Sequence, residues 1–390
     1  MARIRMRIID KLLKYKKKLI IKPKKISHKN VLVSYVLFPD FFNINNKYFI
    51  QSHNNKIICK LFTNVLNELG YNVYLYSYDN ENIDYSKNYD IFIGHNKTFY
   101  KIAKKINSGC KKILITTGCN PEYDNNILEI RSKELCKRKN ISSNENFFSP
   151  IIIQDFPKKN FHSSDYIYML GANSFVAKTW YEEYSKKFYN YFNITQYHLK
   201  NKKILNNKTF IFMSNEGQIR RGLDLVLDAF SDLSDLKLYV CGPYRKEVSF
   251  YNLYHDYFIK YKNIKDLGFI DKSKKLFNEI VEESEFVVLP SCSDAQSGSV
   301  LNLMALGLIP IITQEVGFTD VEEYGYLIPD FSVKSLKETL LRAVNASEEE
   351  KSIKKIKLLK KMQDHTPEKI KENFTNFILN TVLSDVKHEY

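Results

Sequence analysis

From about Asn30 onward, short apolar runs alternate with longer stretches whose apolar residues recur every three or four positions. "VLVSYVL" (31–37) has the length and β-branched content of a buried strand. Next, "KIICKLFTNVLNELG" (56–70) sets Ile58, Leu61, Phe62, Val65 and Leu69 on one face at helical spacing, and Gly70 supplies the stop. Further strands are predicted at 71–78, 89–94, 111–118 and 165–171. Strands alternating with helices, with no hairpin turns between them, predict a parallel sheet covered on both faces.

A polar stretch, "NITQYHLKNKKILNNK" (193–208), reads as an interdomain linker, after which the alternation restarts. Strands are predicted at 209–214, 236–242, 264–270, 286–290, 309–313 and 325–329. Helices are predicted at 222–233 and 333–346, followed by a long Lys/Glu-rich helical tail. The chain of 390 residues therefore reads as two doubly wound α/β domains in tandem. Ligands of such sheets bind beyond the carboxyl ends of the strands, and a cleft between two domains is the default site.

The net charge of +15 suggests nucleic acid until its distribution is considered. Residues 1–29 hold twelve Lys or Arg and one acid, Asp10, and so carry +11; the other 361 residues carry +4. Within that segment Ile4, Ile8, Leu12, Tyr15 and Leu19 recur at helical spacing, and Pro23 would end the helix. Two readings stay open: a basic amphipathic helix on an anionic membrane surface, and a solvated or domain-packed tail. It lacks the continuous apolar core of a signal peptide, and no apolar run reaches the roughly 18 residues of a membrane span. The six cysteines are widely spaced, without zinc spacing, which suits free thiols in the cytoplasm.

No dinucleotide fingerprint, P-loop or nucleophile elbow is present. Nor is there an Asp-x-Asp pair to hold a metal on a nucleotide diphosphate, so a diphosphate would need cationic side chains and helix N-termini. "SNEGQIRRGLDLVLDAF" (214–230) offers both: a strand end, a glycine turn at Gly217, then Arg220 and Arg221 at a helix entry. Cations there oppose the helix dipole and call for an anionic partner. "PSCSDAQSGSVLNLMALGLIPIIT" (290–313) offers the second anion site, where Ser297, Gly298, Ser299 and Val300 would open a helix between two buried strands. A plain capped helix is the alternative there.

Together these segments resemble the donor-binding half of GT-B glycosyltransferases of family 4, the retaining group. The family's Lys-Gly pair corresponds to Arg221-Gly222, and its Glu-x7-Glu motif to Asp294 and Asn302, followed by Leu303-Met304-Ala305 and "GLIP" (307–310). "VCGP" (240–243) and "LGFID" (267–271) follow in family order and add Gly242 and Phe269 to the donor side. The resemblance covers residues 205–330 well and the first half more loosely, through "GYNVYLYSY", "IFIGHN" and "TTGCNPEYDN".

The resemblance implies a GT-B fold of two tandem Rossmann-like domains with a cleft between them. Beside the basic segment 1–29, already read from the charge, it implies an acceptor-side domain 30–195, a donor-binding domain 205–365 and a C-terminal helix 366–390 packing back on the first domain. Arg221, assisted by Arg220, would neutralise the diphosphate of a nucleotide sugar, and the amides at Gly298 to Val300 would hold its distal phosphate. Asp294 would contact the transferred sugar and Asn302 the ribose. His95 substitutes for a histidine that many members carry after the strand ending "ITTG", and Asn120 falls on the acceptor side. No metal or other cofactor is implied. The implied partners are a nucleotide sugar and a glycan or lipid-linked acceptor of surface polysaccharide synthesis, at the inner face of the membrane, with no nucleic acid. Because Asn302 replaces a carboxylate, a non-catalytic nucleotide-sugar binder and a nucleotide-sugar epimerase remain alternatives.

Overall fold

The computed structural model describes residues 18–35, 54–142, 156–180, 188–205 and 207–384. The first sheet contains β1 (Lys18–Ile21), β2 (Asn30–Tyr35), β3 (Asn72–Ser77), β4 (Ile91–His95), β5 (Lys111–Thr116), β6 (Tyr166–Leu170) and β7 (Phe188–Tyr191). Their order is β1-β3-β2-β4-β5-β6-β7, parallel except for the β1–β3 pair. The second sheet contains β8 (Thr209–Met213), β9 (Lys237–Cys241), β10 (Ile264–Gly268), β11 (Phe286–Leu289), β12 (Ile309–Ile312) and β13 (Tyr326–Leu327). Its order is β10-β9-β8-β11-β12-β13, parallel throughout. The winding reverses between β2 and β4 in one sheet and between β8 and β11 in the other. Those are the switch points where a crevice opens beyond the strand ends.

Three sequence expectations change. Leu19 lies on a strand, not a helix: residues 18–21 alternate exposed and half-buried positions against β3, and Leu19 and Ile21 cover the first core. The rest of the expected basic helix, residues 1–17, lies outside the described residues. No strand is predicted after 165–171 in the first half, yet β7 adds a further parallel strand beyond β6. The 193–208 stretch is not a loose linker: Asn193, Ile194, Thr195 and Lys202 are buried, and the Lys202 ammonium donates to the carbonyls of Val281 and Ser284.

Helices join the two halves at several points. Helix α1 (Asn54–Glu68) packs on the first sheet. Helix α2 (Pro121–Lys139) leaves β5 of the first sheet, yet its Leu128 and Leu135 enter the core of the second. Its polar side is an ion network with α3 (Gln218–Arg221) and α4 (Leu223–Asp232). Arg131 makes two hydrogen bonds, 3.0 and 2.8 Å, to Asp224, and both side chains are fully buried. Arg138 reaches Asp224 and Asp228, each at 2.7 Å, and Lys139 also pairs with Asp228.

Helix α5 (Gly298–Ala305) follows β11, and α6 (Glu348–Met362) covers the second sheet. Helix α7 (Pro367–Phe377) then returns to the first: Phe374 stacks on Phe62 at 3.9 Å and Phe377 on Tyr168 at 4.4 Å. Where the chain crosses back, His365 donates from Nδ1 to the Asn193 carbonyl at 2.8 Å, and the Thr195 amide donates to the His365 carbonyl at 3.0 Å. The two crossings between the domains are therefore tied to each other.

Candidate functional site

Beyond β8 the chain turns at Gly217 (φ +90) into α3, and Gly222 (φ +74) separates α3 from α4. A Cβ on Gly222 would meet the Pro290 carbonyl oxygen at 2.3 Å, so only glycine lets this turn rest on the end of β11. That contact carries the two arginines to the segment after β11. The Arg220 carbonyl accepts from the Cys292 amide at 2.9 Å and the Ser291 hydroxyl at 3.1 Å. The Arg221 guanidinium pairs with Asp294, and Arg220 lies 3.8 Å from Asp124 of α2. Both guanidiniums stay partly exposed.

The structure thus brings Arg220, Arg221 and Asp294 together at the switch point, in a setting the sequence did not specify: each cation already faces a carboxylate. The turn is occupied in the same sense, since the amides of Gly217 and Gln218 donate to the Glu247 carboxylate at 2.6 and 3.0 Å. Gly242 closes the neighbouring strand end; a Cβ there would lie 2.7 Å from the Ser214 carbonyl oxygen, and its amide donates to Gly268. Phe269 stands 79 % exposed just past β10. A cleft of about 480 Å³ lies between Leu128 of α2, the turn at Glu216–Arg220 and the segment from Glu247 to Phe250.

The start of α5 differs from expectation. The Ser297 side chain caps nothing, and Val300 is buried in the second core. On the side where a Cβ would stand, Gly298 faces Asn54, whose Nδ2 lies 3.1 Å from that position. Asn54 in turn donates to Asn193 and Ile194 of the crossing and accepts from Gln196. Ser299 is half-buried beside it.

Asn302 has protein partners as well. It is buried, and its Oδ1 accepts from the Gln196 amide at 2.9 Å and the Thr195 hydroxyl at 3.4 Å. The oxygen expected to grip a ribose therefore fixes the crossing between the domains. Asn120, expected on the acceptor side, is the N-cap of α2, with its Oδ1 accepting from the Glu122 amide at 3.0 Å. His95 ends β4 with Nδ1 3.0 Å from the Ile115 carbonyl oxygen, which assigns the proton to Nδ1. Burial lowers its pKa and the Ile115 bond opposes the shift, so the ring is neutral at pH 7.

Three acids were missed by the sequence reading. Glu247 fills the Gly217 turn. Glu315 is buried, which pushes its carboxyl up, and its carbonyl accepts from the Asp294 amide at 3.0 Å. Asp124 is the third. Pro121 at the first turn of α2 marks a helix start, and Asp124 is a first-turn acid there; that signal was legible. Among the described residues no group of three or more His, Cys, Asp and Glu side chains is gathered as a metal site would require.

Two parallel α/β domains, with a paired-arginine turn at the switch point of the second, define the class: this is the GT-B fold of the glycosyltransferases. Residues 196–358 match the family model described as Glycosyl transferases group 1. Sucrose-phosphate synthase from Thermosynechococcus elongatus superposes with a TM-score of 0.59 at 10 % identity, over 91 % of this chain and 100 % of that one. A trehalose-6-phosphate synthase superposes with a TM-score of 0.57 at 11 % identity, over 93 % and 99 %. TarM of S. aureus follows at 0.50 and 15 % identity, over 73 % of this chain; the match spans about half, 54 %, of the TarM chain. No curated protein sequence matches the chain.

Proposed function

We propose that the chain is a retaining glycosyltransferase that moves a sugar from a nucleotide-diphosphate sugar to a glycan or lipid-linked acceptor. The observation that carries this reading is the convergence of Arg220, Arg221 and Asp294 on one strand-end turn within a glycosyl transferases group 1 domain. Two guanidiniums side by side suit a leaving diphosphate, which they stabilise as its charge develops. In the free protein Asp124 and Asp294 hold those guanidiniums, and donor binding exchanges carboxylate for phosphate. Asp294, released from Arg221, is then available to the sugar. With the charge met by arginine, the reaction needs no metal. Residues 30–195 act as the acceptor side and 205–365 as the donor side. Surface polysaccharide synthesis, with the basic residues 1–29 near an anionic membrane, is the setting that the charge distribution favours. Among the described residues no helix is long and apolar enough to cross a membrane.

A second reading, a nucleotide-sugar binder without turnover, is favoured by one observation: Asn302 is committed to the Thr195–Gln196 backbone. One experiment separates the two. The TarM structure contains UDP, so UDP-sugars lead a donor panel that also includes GDP- and ADP-sugars. Binding is read by thermal shift, and sugar release or transfer by product analysis, with Arg221→Ala as control. Loss of every donor shift in Arg221→Ala, together with turnover in the parent, is expected. Binding without turnover across the panel selects the binder, and an unchanged shift in Arg221→Ala removes the diphosphate assignment.

A further inference from the structure

Asp124 has more to do than balance Arg220. It projects from the first turn of α2, the element that crosses from the first domain onto the second. It is buried, yet its Oδ1 has no hydrogen-bond partner. A buried carboxylate oxygen without a donor is unfavourable and calls for an explanation, of which a ligand that supplies the donor is one. Its surroundings say what kind of donor. Oδ2 faces the Arg220 guanidinium at 3.8 Å, the Ser293 side chain hydrogen-bonds the carboxylate, and Arg221 and Asp294 act on its charge. Burial raises the Asp124 carboxyl and Arg220 opposes the rise. A phosphate at Oδ1 would add negative charge beside a carboxylate. A neutral hydroxyl would not, and the hydroxyl nearest a diphosphate on this arginine pair belongs to the sugar that the diphosphate carries. Leu128, one turn further along the same face of α2, lines the cleft with Arg220, and Oδ1 itself is closed off in the free protein, so a ligand reaches it only once Arg220 is drawn to the diphosphate.

We infer that Asp124 is a sugar-contacting residue supplied by the first domain, whose free Oδ1 accepts a hydrogen bond from a hydroxyl of the donor sugar held beside Arg220 and Arg221. The inference rests on the donor assignment above and deepens it. It makes sugar recognition a function of both domains, with Asp294 on one side and Asp124 on the other.

The test compares affinities for UDP and UDP-glucose, and for GDP and GDP-mannose, in the full chain, in Asp124→Ala and in Asp124→Asn. Asp124→Ala is expected to bind the bare diphosphate as well as the parent or more tightly, since a competing carboxylate is gone. Its preference for the sugar nucleotide over the bare diphosphate should fall about tenfold or more, the scale of a hydrogen bond to a charged group. Asp124→Asn, which keeps a carbonyl acceptor, should recover part of that preference. A purely structural role for Asp124 would weaken both ligands together and leave the ratio unmoved, which overturns the inference. So would a fall in turnover with the ratio intact, which would assign Asp124 to the acceptor. If the parent binds no bare diphosphate, the donor assignment itself fails, and the inference with it; if it binds and the ratio is insensitive to Asp124, only the inference fails.

Discussion

Acid should loosen the point where the domains cross, through His365. The side chain is fully buried, with Phe192 at 5.2 Å and Phe318 at 5.8 Å against the ring. Its Nδ1 is used by Asn193, and Nε2 has no partner, so a second proton would have nowhere to hydrogen-bond. Burial lowers its pKa from 6.5 to about 4, the Asn193 bond opposing and Lys361 assisting the shift. A histidine whose folded pKa is depressed stays neutral in the fold while the unfolded chain takes up the proton first. Stability from this residue is therefore complete above pH 6.5, falls as pH drops from 6.5 to about 4, and is lost below that. A shift of that size corresponds to roughly 3 kcal/mol in full, of which about 1.4 kcal/mol is already gone at pH 5.5. That is a large part of the ~5–15 kcal/mol that typical domains possess.

The perturbation is His365→Asn, whose amide can still donate to the Asn193 carbonyl but does not titrate. Urea unfolding of parent and variant at pH 7.5, 6.5, 5.5 and 4.5 gives the difference between them at each pH, and carboxylates common to both cancel. The parent should lead at pH 7.5, because the ring packs between two phenylalanines, and its lead should shrink by about 2.5 kcal/mol by pH 4.5. Hydrogen exchange at the Thr195 amide should accelerate in parallel in the parent alone, since that amide donates to His365. A lead that is constant with pH, or that grows on acidification, would refute the reasoning.

Three other substitutions test the frame of the site. Asp224→Asn leaves the buried Arg131 with only the half-exposed Glu134 as counter-charge and should cost about 3 kcal/mol in urea unfolding, whereas the double change Arg131→Met with Asp224→Leu should recover most of the loss. Gly222→Ala combines a left-handed backbone with a 2.3 Å approach to the Pro290 carbonyl oxygen; a loss on the order of 2–4 kcal/mol is expected, with weaker nucleotide binding as the arginine turn lifts from β11. Asn302→Glu, which restores the family's residue type, should lower the melting temperature without raising donor affinity, because the longer, charged group enters a site that is 2 % exposed and already hydrogen-bonded; a tighter-binding, equally stable variant would return Asn302 to the ribose.

The fold was legible because its signals are local. The apolar runs at 209–213, 286–289 and 309–312 are wholly buried strands, and the amphipathic pattern of 56–70 became α1. Strand β7 was not legible: "FYNY" is four residues long and alternates nothing. Nor was β1, whose Lys-rich surroundings also fit a helical repeat until β3 supplies a partner. At the site, residue type and chain order were enough to bring Arg221 and Asp294 together, because both lie at strand ends flanking the switch point. Which partner each polar atom takes was not readable, since it depends on contacts distant in sequence. Glu247 reaches Gly217 across 30 positions, Gln196 reaches Asn302 across 106, and Asp124 reaches Arg220 from the other domain.

Those distant partners share one physical character. The groups that would meet a donor diphosphate are not left bare: Arg221 has Asp294, Arg220 has Asp124, and the Gly217 and Gln218 amides have Glu247. Isolated cations at a short helix would be unfavourable, and the Asp124 and Asp294 carboxylates, from two different elements, offset them. The exchange is asymmetric. Glu247 accepts two amides at hydrogen-bond distance, whereas the Arg220–Asp124 pair at 3.8 Å is a looser electrostatic contact. A diphosphate should therefore displace Asp124 before Glu247. Releasing Asp124 frees a carboxylate on α2 without breaking the Arg131–Asp224 pair that anchors the same helix further along. The first turn of α2 can then adjust to the sugar while the rest of the helix keeps the two domains joined.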